Sequence, residues 1–169
     1  MVIPYKDSHK TKKEQVAQMF NNIAGTYDFL NHTLSLNIDK IWRNKAIKAL
    51  KPLNPQTMLD VATGTGDFAL LSAQKLHPSK IMGIDISEKM LEVGVEKIAK
   101  QNLQSVVSLE VGDAENLSFP DASFDAVTVG FGVRNFENLQ KGLQEIQRVL
   151  KPNGVAAILE FSMPEHFPV

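Results

Sequence analysis

Leu59-Asp60-Val61-Ala62-Thr63-Gly64-Thr65-Gly66-Asp67-Phe68-Ala69 passes from a short apolar run through a glycine-rich turn into an amphipathic stretch. That order reads as strand, turn, helix. Gly64 to Ala69 satisfies the G-x-G-x-x-G/A pattern, and Asp85 closes the next apolar run 21 residues after Gly64, where an acid binds ribose hydroxyls. Taken alone, the pattern serves a dinucleotide as well as an adenosyl sulfonium, and a glycine turn can also exist merely to pack helix on strand. Charge separates the ligands. A dinucleotide lays a pyrophosphate on the helix N-terminus, whereas S-adenosylmethionine brings an ammonium and a sulfonium there, with a carboxylate for the backbone N–H groups. Asp60 and Asp67 bracket the turn. A carboxylate ~4 Å from a phosphate costs several kcal/mol at an effective dielectric of ~20, and gains a comparable amount beside an ammonium. The acids therefore favour the methionine ligand. Asp67 has a second reading, as an acid in a helix's first turn, which leaves Asp60 unexplained.

Outward from this turn, short apolar runs alternate with amphipathic stretches. Strands are predicted at 57–62, 80–85, 106–111, 125–130 and 155–161, and helices at 67–76, 87–101 and 139–150. The alternation implies βαβ units with right-handed crossovers, hence an α/β Rossmann-like parallel sheet with helices on both faces. Two further loops fall at the carboxyl ends of strands, where open α/β folds bind ligands. Gly112-Asp113-Ala114-Glu115 offers an acid to the adenine amino group, and Gly130-Phe131-Gly132-Val133-Arg134-Asn135 follows the fourth strand. The cofactor positions put forward are Asp60, Ala62, Thr63, Gly64, Thr65, Gly66, Asp85, Ile86, Asp113, Ala114 and Gly130. No metal site is expected.

Two helical patterns precede the first strand: Val16, Met19, Phe20 and Ile23, then Ile38, Ile41, Trp42, Ala46, Ala49 and Leu50. Ala24 to Asn37 between them reads as a connector with room for a short helix. Pro52 and Pro55 end this front section. Residues 1–51 are thus expected to form a helical substrate or lid segment, and 52–169 the cofactor-binding part of a single structural domain. The sequence runs only a few residues past the fifth strand, so the sheet is expected to be truncated there, with 155–161 an exposed apolar edge prone to self-association.

With 43% hydrophobic and 22% charged residues and no long apolar run, the composition is that of a globular chain, and its polar start favours the cytoplasm over secretion. Zero cysteines exclude disulfides, Cys-ligated zinc and a thiol nucleophile. The net charge of −1 hides a basic front, nine Lys/Arg against four acids in residues 1–51, and an acidic remainder. The bland reading of that front is solvated helix faces; the sharper one is approach to an anionic lipid surface. Neither an extended basic groove nor an N-P-P-Y-like motif appears, which argues against nucleic-acid or protein methylation.

Three segments resemble the ubiquinone/menaquinone biosynthesis C-methyltransferase family: Tyr27 to Ser35 running on to Trp42, Gly130 to Asn135, and Arg148 to Gly154 through Glu160-Phe161-Ser162. The chain departs from the family pattern at Leu30 (methionine is usual), Asp39 (histidine), Gly130 (often serine) and Asn153 (glycine). Asn153 tolerates the left-handed backbone that glycine serves. Without the serine, only backbone can contact the cofactor at Gly130. Asp39 replaces the histidine as a base only if burial raises its pKa. The resemblance implies Thr65, Asp85, Asp113 and Ala114 as cofactor contacts, and ring methylation of a polyprenylated quinol, demethylmenaquinol or a ubiquinone-pathway benzoquinol. Such a reaction needs a quinol oxyanion stabilised in a dry site. Arg134 is the expected electrostatic group, with Asn135 orienting the ring oxygen and Tyr27 a proton relay; His32 is a weaker candidate. The duller readings are pairing of Arg134 with Asp60, Asp67 or Glu137, and core packing for Tyr27 and Trp42. Phe131 and Phe136 read as packing or as the wall for a naphthoquinol, and Glu160 and Ser162 as substrate edge or strand end. A different phenolic acceptor, or nucleotide binding without transfer, are the competing functions.

Overall fold

The structure is a computed structural model that describes residues 9–34 and 38–161, with side chains 29–34 outside that description. Five parallel strands form the sheet: β1 (Thr57–Val61), β2 (Lys80–Asp85), β3 (Val107–Val111), β4 (Phe124–Gly130) and β5 (Leu150–Leu159), in spatial order β3-β2-β1-β4-β5. β1 is central because both its faces are apolar. Leu59 pairs with Met82 on one side and Val127 on the other, and Met58 to Val61 are all buried.

Successive residues of β1 feed opposite cores, as the period of two requires. Met58 packs with Ile81 and Ala126 under Ile47 and Leu50, Phe68 and Ala73, and Ile98. Those residues belong to α2 (Ile38–Leu50), α3 (Asp67–Leu76) and α4 (Glu88–Lys100). Leu59 and Val61 pack with Val127, Val129, Ile146 and Val149 on the other face, under α5 (Leu139–Val149). Strand order reverses between β1 and β4, so the loops after these two strands part and leave a crevice at the carboxyl edge.

Three expectations need correction. The connector predicted from Ala24 is helical: α1 is one helix, Lys12–Leu34. It lies against α4, and Asn21 Oδ1 accepts from Ser87 Oγ (2.8 Å) and the Lys89 N–H (3.2 Å). Helix α2 is rotated from its predicted face. Ile38 and Ile41 are exposed, while Asp39 and Arg43 are buried beside Ile47 and Leu50, because an ion pair four residues apart lets both charges turn inward together. Strand β5 begins at Leu150, five residues early, and reaches Val155 through an irregularity in its pairing with β4. Asn153, at φ 67°, makes that step in the left-handed conformation expected of it.

Candidate active site

Beyond Val61, Ala62, Gly64 and Gly66 take φ of 53°, 57° and 80° and fold the chain back on itself. The Thr63 N–H donates to the Ile84 carbonyl and the Gly66 N–H to the Thr63 carbonyl, both at 2.9 Å. Glycine adopts this geometry freely, whereas Ala62 stores strain of the kind found at ligand sites. The turn aims Asp85: Oδ2 accepts from the Gly64 N–H (2.8 Å) and Oδ1 from the Ser87 N–H (2.9 Å). Burial pushes the Asp85 carboxyl up, and these N–H groups oppose the shift. Where the loop after β4 comes back against the turn, a Cβ on Gly132 would lie 2.5 Å from that of Ala62, so only glycine fits there.

These loops enclose a cavity of about 640 Å³, open to solvent on one side. Gly64, Asp85 and Ile86 form one wall, with Asp113 and Ala114 at the far end. Gly130, Phe131 and Asn135 form the opposite wall, and Val16, Phe20 and Tyr27 of α1 the roof. Lys13 fastens that roof, its ammonium 2.6 Å from Asp113 and 3.5 Å from Glu115. Glu115 also accepts the Glu137 and Asn138 N–H groups at 2.7 and 3.1 Å, joining the loop after β3 to the start of α5. Burial raises the Tyr27 hydroxyl above its ordinary value of 10.0, against the pull of Arg43 and Arg134.

A smaller cavity of about 330 Å³ lies around the glycine turn and shares Tyr27, Ala62, Gly64 and Gly130 with the first. Asp60 and Asp67 are on its walls rather than on those of the larger cavity. Asp60 is 1% exposed and accepts the Thr63 and Thr128 hydroxyls, both at 2.6 Å. Burial lifts its pKa to about 6, against those two hydroxyls and the charge of Arg43. Asp67 pairs with Lys97, which also reaches Asp28 at 2.8 Å and Thr65 Oγ1 at 3.1 Å. Both acids are thus already engaged, Asp60 by two hydroxyls and Asp67 by a lysine.

Of the residues put forward from sequence, Tyr27, Ala62, Gly64, Asp85, Ile86, Asp113, Ala114, Gly130 and Asn135 line the larger cavity. Asp60, Thr63 and Thr65 line the smaller one, and Thr65 donates to Asp28 at 2.6 Å. Gly66 and Arg134 line neither. Arg134 pairs with Glu160, not with Asp60, Asp67 or Glu137, and its guanidinium lies 5.5 Å over the Phe161 ring. Its turn (Val133–Asn135) presents Asn135 inward and Arg134 outward, where the end of β5 brings Glu160 alongside. Asp39 faces Arg43, which commits it to an ion pair rather than to a base. His32 and Ser162 lie outside the residues described at side-chain level. Sequence reading missed Lys13, Glu115 and Arg43. Each is a charged residue in a polar stretch, and only the tertiary partner distinguishes it from a solvated one.

A family model for the ubiE/COQ5 methyltransferase family matches residues 8–169. The chain belongs to that family. The ubiE/COQ5 family chain is 55% identical over 166 residues, 98% of its length, to a protein of Bacteroides fragilis named demethylmenaquinone methyltransferase, of which the match covers 67%. It is 46% identical over 154 residues, 90% of its length, to a Geobacter sulfurreducens protein named ubiquinone/menaquinone biosynthesis C-methyltransferase, covering 60% of that protein. It thus spans about two thirds of the length of such relatives. Among solved structures, an S-adenosylmethionine-dependent methyltransferase from Aquifex aeolicus superimposes with a TM-score of 0.61 at 26% identity, over 73% of this chain and 68% of that one. Family and fold together make this ubiE/COQ5 family chain a methyltransferase of the S-adenosylmethionine-dependent class.

Proposed function

We propose that this chain carries out C-methylation of a polyprenylated quinol, converting demethylmenaquinol to menaquinol, with the adenosine of the donor at Asp85 and Asp113 and the quinol ring against the aromatic wall. The observation that carries the reading is one cavity lined both by carboxylates, Asp85 and Asp113, and by the rings of Phe20, Phe131 and Phe136. The names of the 55% and 46% identical relatives supply the substrate. The residues fit the donor: Asp85 is held by two backbone N–H groups with lone pairs to spare for the ribose, and Ala114 beside Asp113 leaves room for a flat base.

When bound, S-adenosylmethionine supplies an electrophilic methyl group on a sulfonium. The chain's own residues must then favour a quinol oxyanion, whose hydroxyl proton passes to solvent water at the cavity mouth, because a neutral ring carbon is a weak nucleophile. Tyr27, a phenol already protonated at neutral pH and pushed further up by burial, donates a hydrogen bond to the ring oxygen instead of acting as base. Asn135 orients that oxygen from the opposite wall. Arg134 acts through its charge, which already reaches Tyr27 and which Glu160 holds in place. Phe131 and Phe136 exclude water and so strengthen each of these interactions.

Membrane contact belongs to the same proposal. Ile38 and Ile41, 40% and 56% exposed, share α2 with exposed Lys40, Lys45 and Lys48, a composition suited to anionic headgroups. Self-association through β5 does as well: this strand ends the described sheet, with Val155 and Ile158 exposed. Transfer of labelled methyl from S-adenosylmethionine to demethylmenaquinol, a ubiquinone-pathway benzoquinol and a simple phenol tests the substrate reading. Label in the naphthoquinol supports it, and preference for either other acceptor replaces it.

A further inference from the structure

Arg43 is a buried cation whose hydrogen-bonding capacity is only partly used. It is 7% exposed, its guanidinium pairs with Asp39 one turn earlier on α2, and it lies 5.6 Å over the Phe131 ring. Among the described residues, its Nε and the Ser72 hydroxyl are the buried side-chain polar atoms without a hydrogen-bond partner. A buried guanidinium N–H is costly to leave unpaired, so an idle one points to an absent acceptor. Its position says where the acceptor belongs. A Cβ on Gly130 would lie 3.9 Å from Nε, and Gly130 walls both cavities. Arg43 is the cationic residue among the described walls of the smaller cavity, facing Asp60 and Asp67.

We propose that Arg43, on the wall of the smaller cavity around the glycine turn, recognises the carboxylate of the donor's amino-acid tail. This rests on the cofactor reading above and extends it to one side chain. A nucleoside anchored at Asp85 and Asp113 has only its amino-acid substituent to send past Gly64 and Gly130. That substituent carries one negative and one positive group. The cavity offers Asp60 for the ammonium, but a carboxylate beside that acid would be repelled without a cation. Asp39 fixes one end of the guanidinium fork and leaves Nε directed at the tail, a division of labour that a lysine could not reproduce. A purely structural Arg43 would account for the Asp39 pair and the Phe131 contact, and would leave Nε without purpose.

The test compares two ligands that differ by this carboxylate alone, S-adenosylmethionine and decarboxylated S-adenosylmethionine, by equilibrium dialysis. The proteins are the wild-type chain and the double variant Asp39→Leu/Arg43→Met, which removes both charges so that no orphan carboxylate is left buried. The wild type is expected to prefer the carboxylated ligand by about tenfold or more, and the double variant to bind the two within about twofold of each other. General loosening of the site weakens both ligands and leaves their ratio unchanged, so the ratio isolates recognition. Arg43→Lys is expected to keep part of the preference through charge alone. A wild type without preference, or a double variant that retains it, overturns the proposal. A folded wild type that binds neither ligand overturns the cofactor reading itself.

Discussion

At the scale of single residues, Asp60 shows how the site uses burial. Both of its oxygens accept hydroxyl groups, and its pKa stands at about 6 against an ordinary 3.8. A carboxyl whose pKa is raised on folding binds a proton that the unfolded chain releases earlier. Its contribution to stability therefore falls as pH rises from about 4 to about 6 and is level above that, a change of about 3 kcal/mol. Asp60→Asn removes the titration and keeps the volume. The wild-type minus variant difference in unfolding free energy, from urea melts, is expected to fall by roughly that amount over this window; a difference independent of pH would contradict it. Asp85 and Asp113 were legible in the sequence because acids at the ends of apolar runs have few local reasons to be there. Arg43 and Asp39 were not, since charges four apart on a helix ordinarily face water, and their inward turn depends on Asp60, Phe131 and Gly130 from other elements. The partner of Arg134 was hidden likewise: Glu160 is 26 residues away and is brought close by the pairing of β4 with β5.

At the scale of elements, the site depends on how the sheet holds its strands in register and how α1 is laid across it. Asp125, at the start of β4, accepts the Gln56 and Thr57 N–H groups at 2.9 and 2.8 Å and the Lys151 ammonium at 2.9 Å, so one carboxylate ties β4 to the starts of β1 and β5. Burial alone would raise its pKa, but Lys151 and these N–H groups bring it down to about 2. The sign is opposite to that of Asp60: its contribution is full above about 4 and is lost as pH falls toward 2. Asp125→Ala is expected to cost about 1–2 kcal/mol near neutral pH, discounted for partial exposure, and almost nothing at pH 2. Thermal melts at the two pH values check this, and an equal cost at both would contradict it. Helices α3, α4 and α5 were legible nearly to the residue, and in α4 and α5 apolar period and capping agree, with Ser87 accepting the Met90 N–H and Asn138 the Lys141 N–H. The length of α1 was not, because Gly25 and the polar residues around it weaken the helical pattern that contacts with α4 restore.

For the whole molecule, the open question of function is how a polar donor and a water-insoluble acceptor meet. The sheet places Asp85 and Asp113 in the cavity at its carboxyl edge, and α2 exposes Ile38, Ile41 and its lysines. No helix among the described residues is long and apolar enough to cross a membrane. Ile41→Asp is expected to weaken co-sedimentation with vesicles rich in anionic lipid about tenfold while leaving donor binding unchanged, and equal sedimentation of variant and wild type would show that α2 does not make the contact. An adenosyl amino acid is expected to seat its ribose on Asp85. Calorimetric titration of the wild-type chain and Asp85→Ala with S-adenosylhomocysteine and with NAD tests it most directly. The expected result is saturable heat with S-adenosylhomocysteine, weakened about tenfold or more by the substitution, and none with NAD. Binding of NAD in place of S-adenosylhomocysteine, or an Asp85→Ala chain that binds as the wild type does, would contradict it.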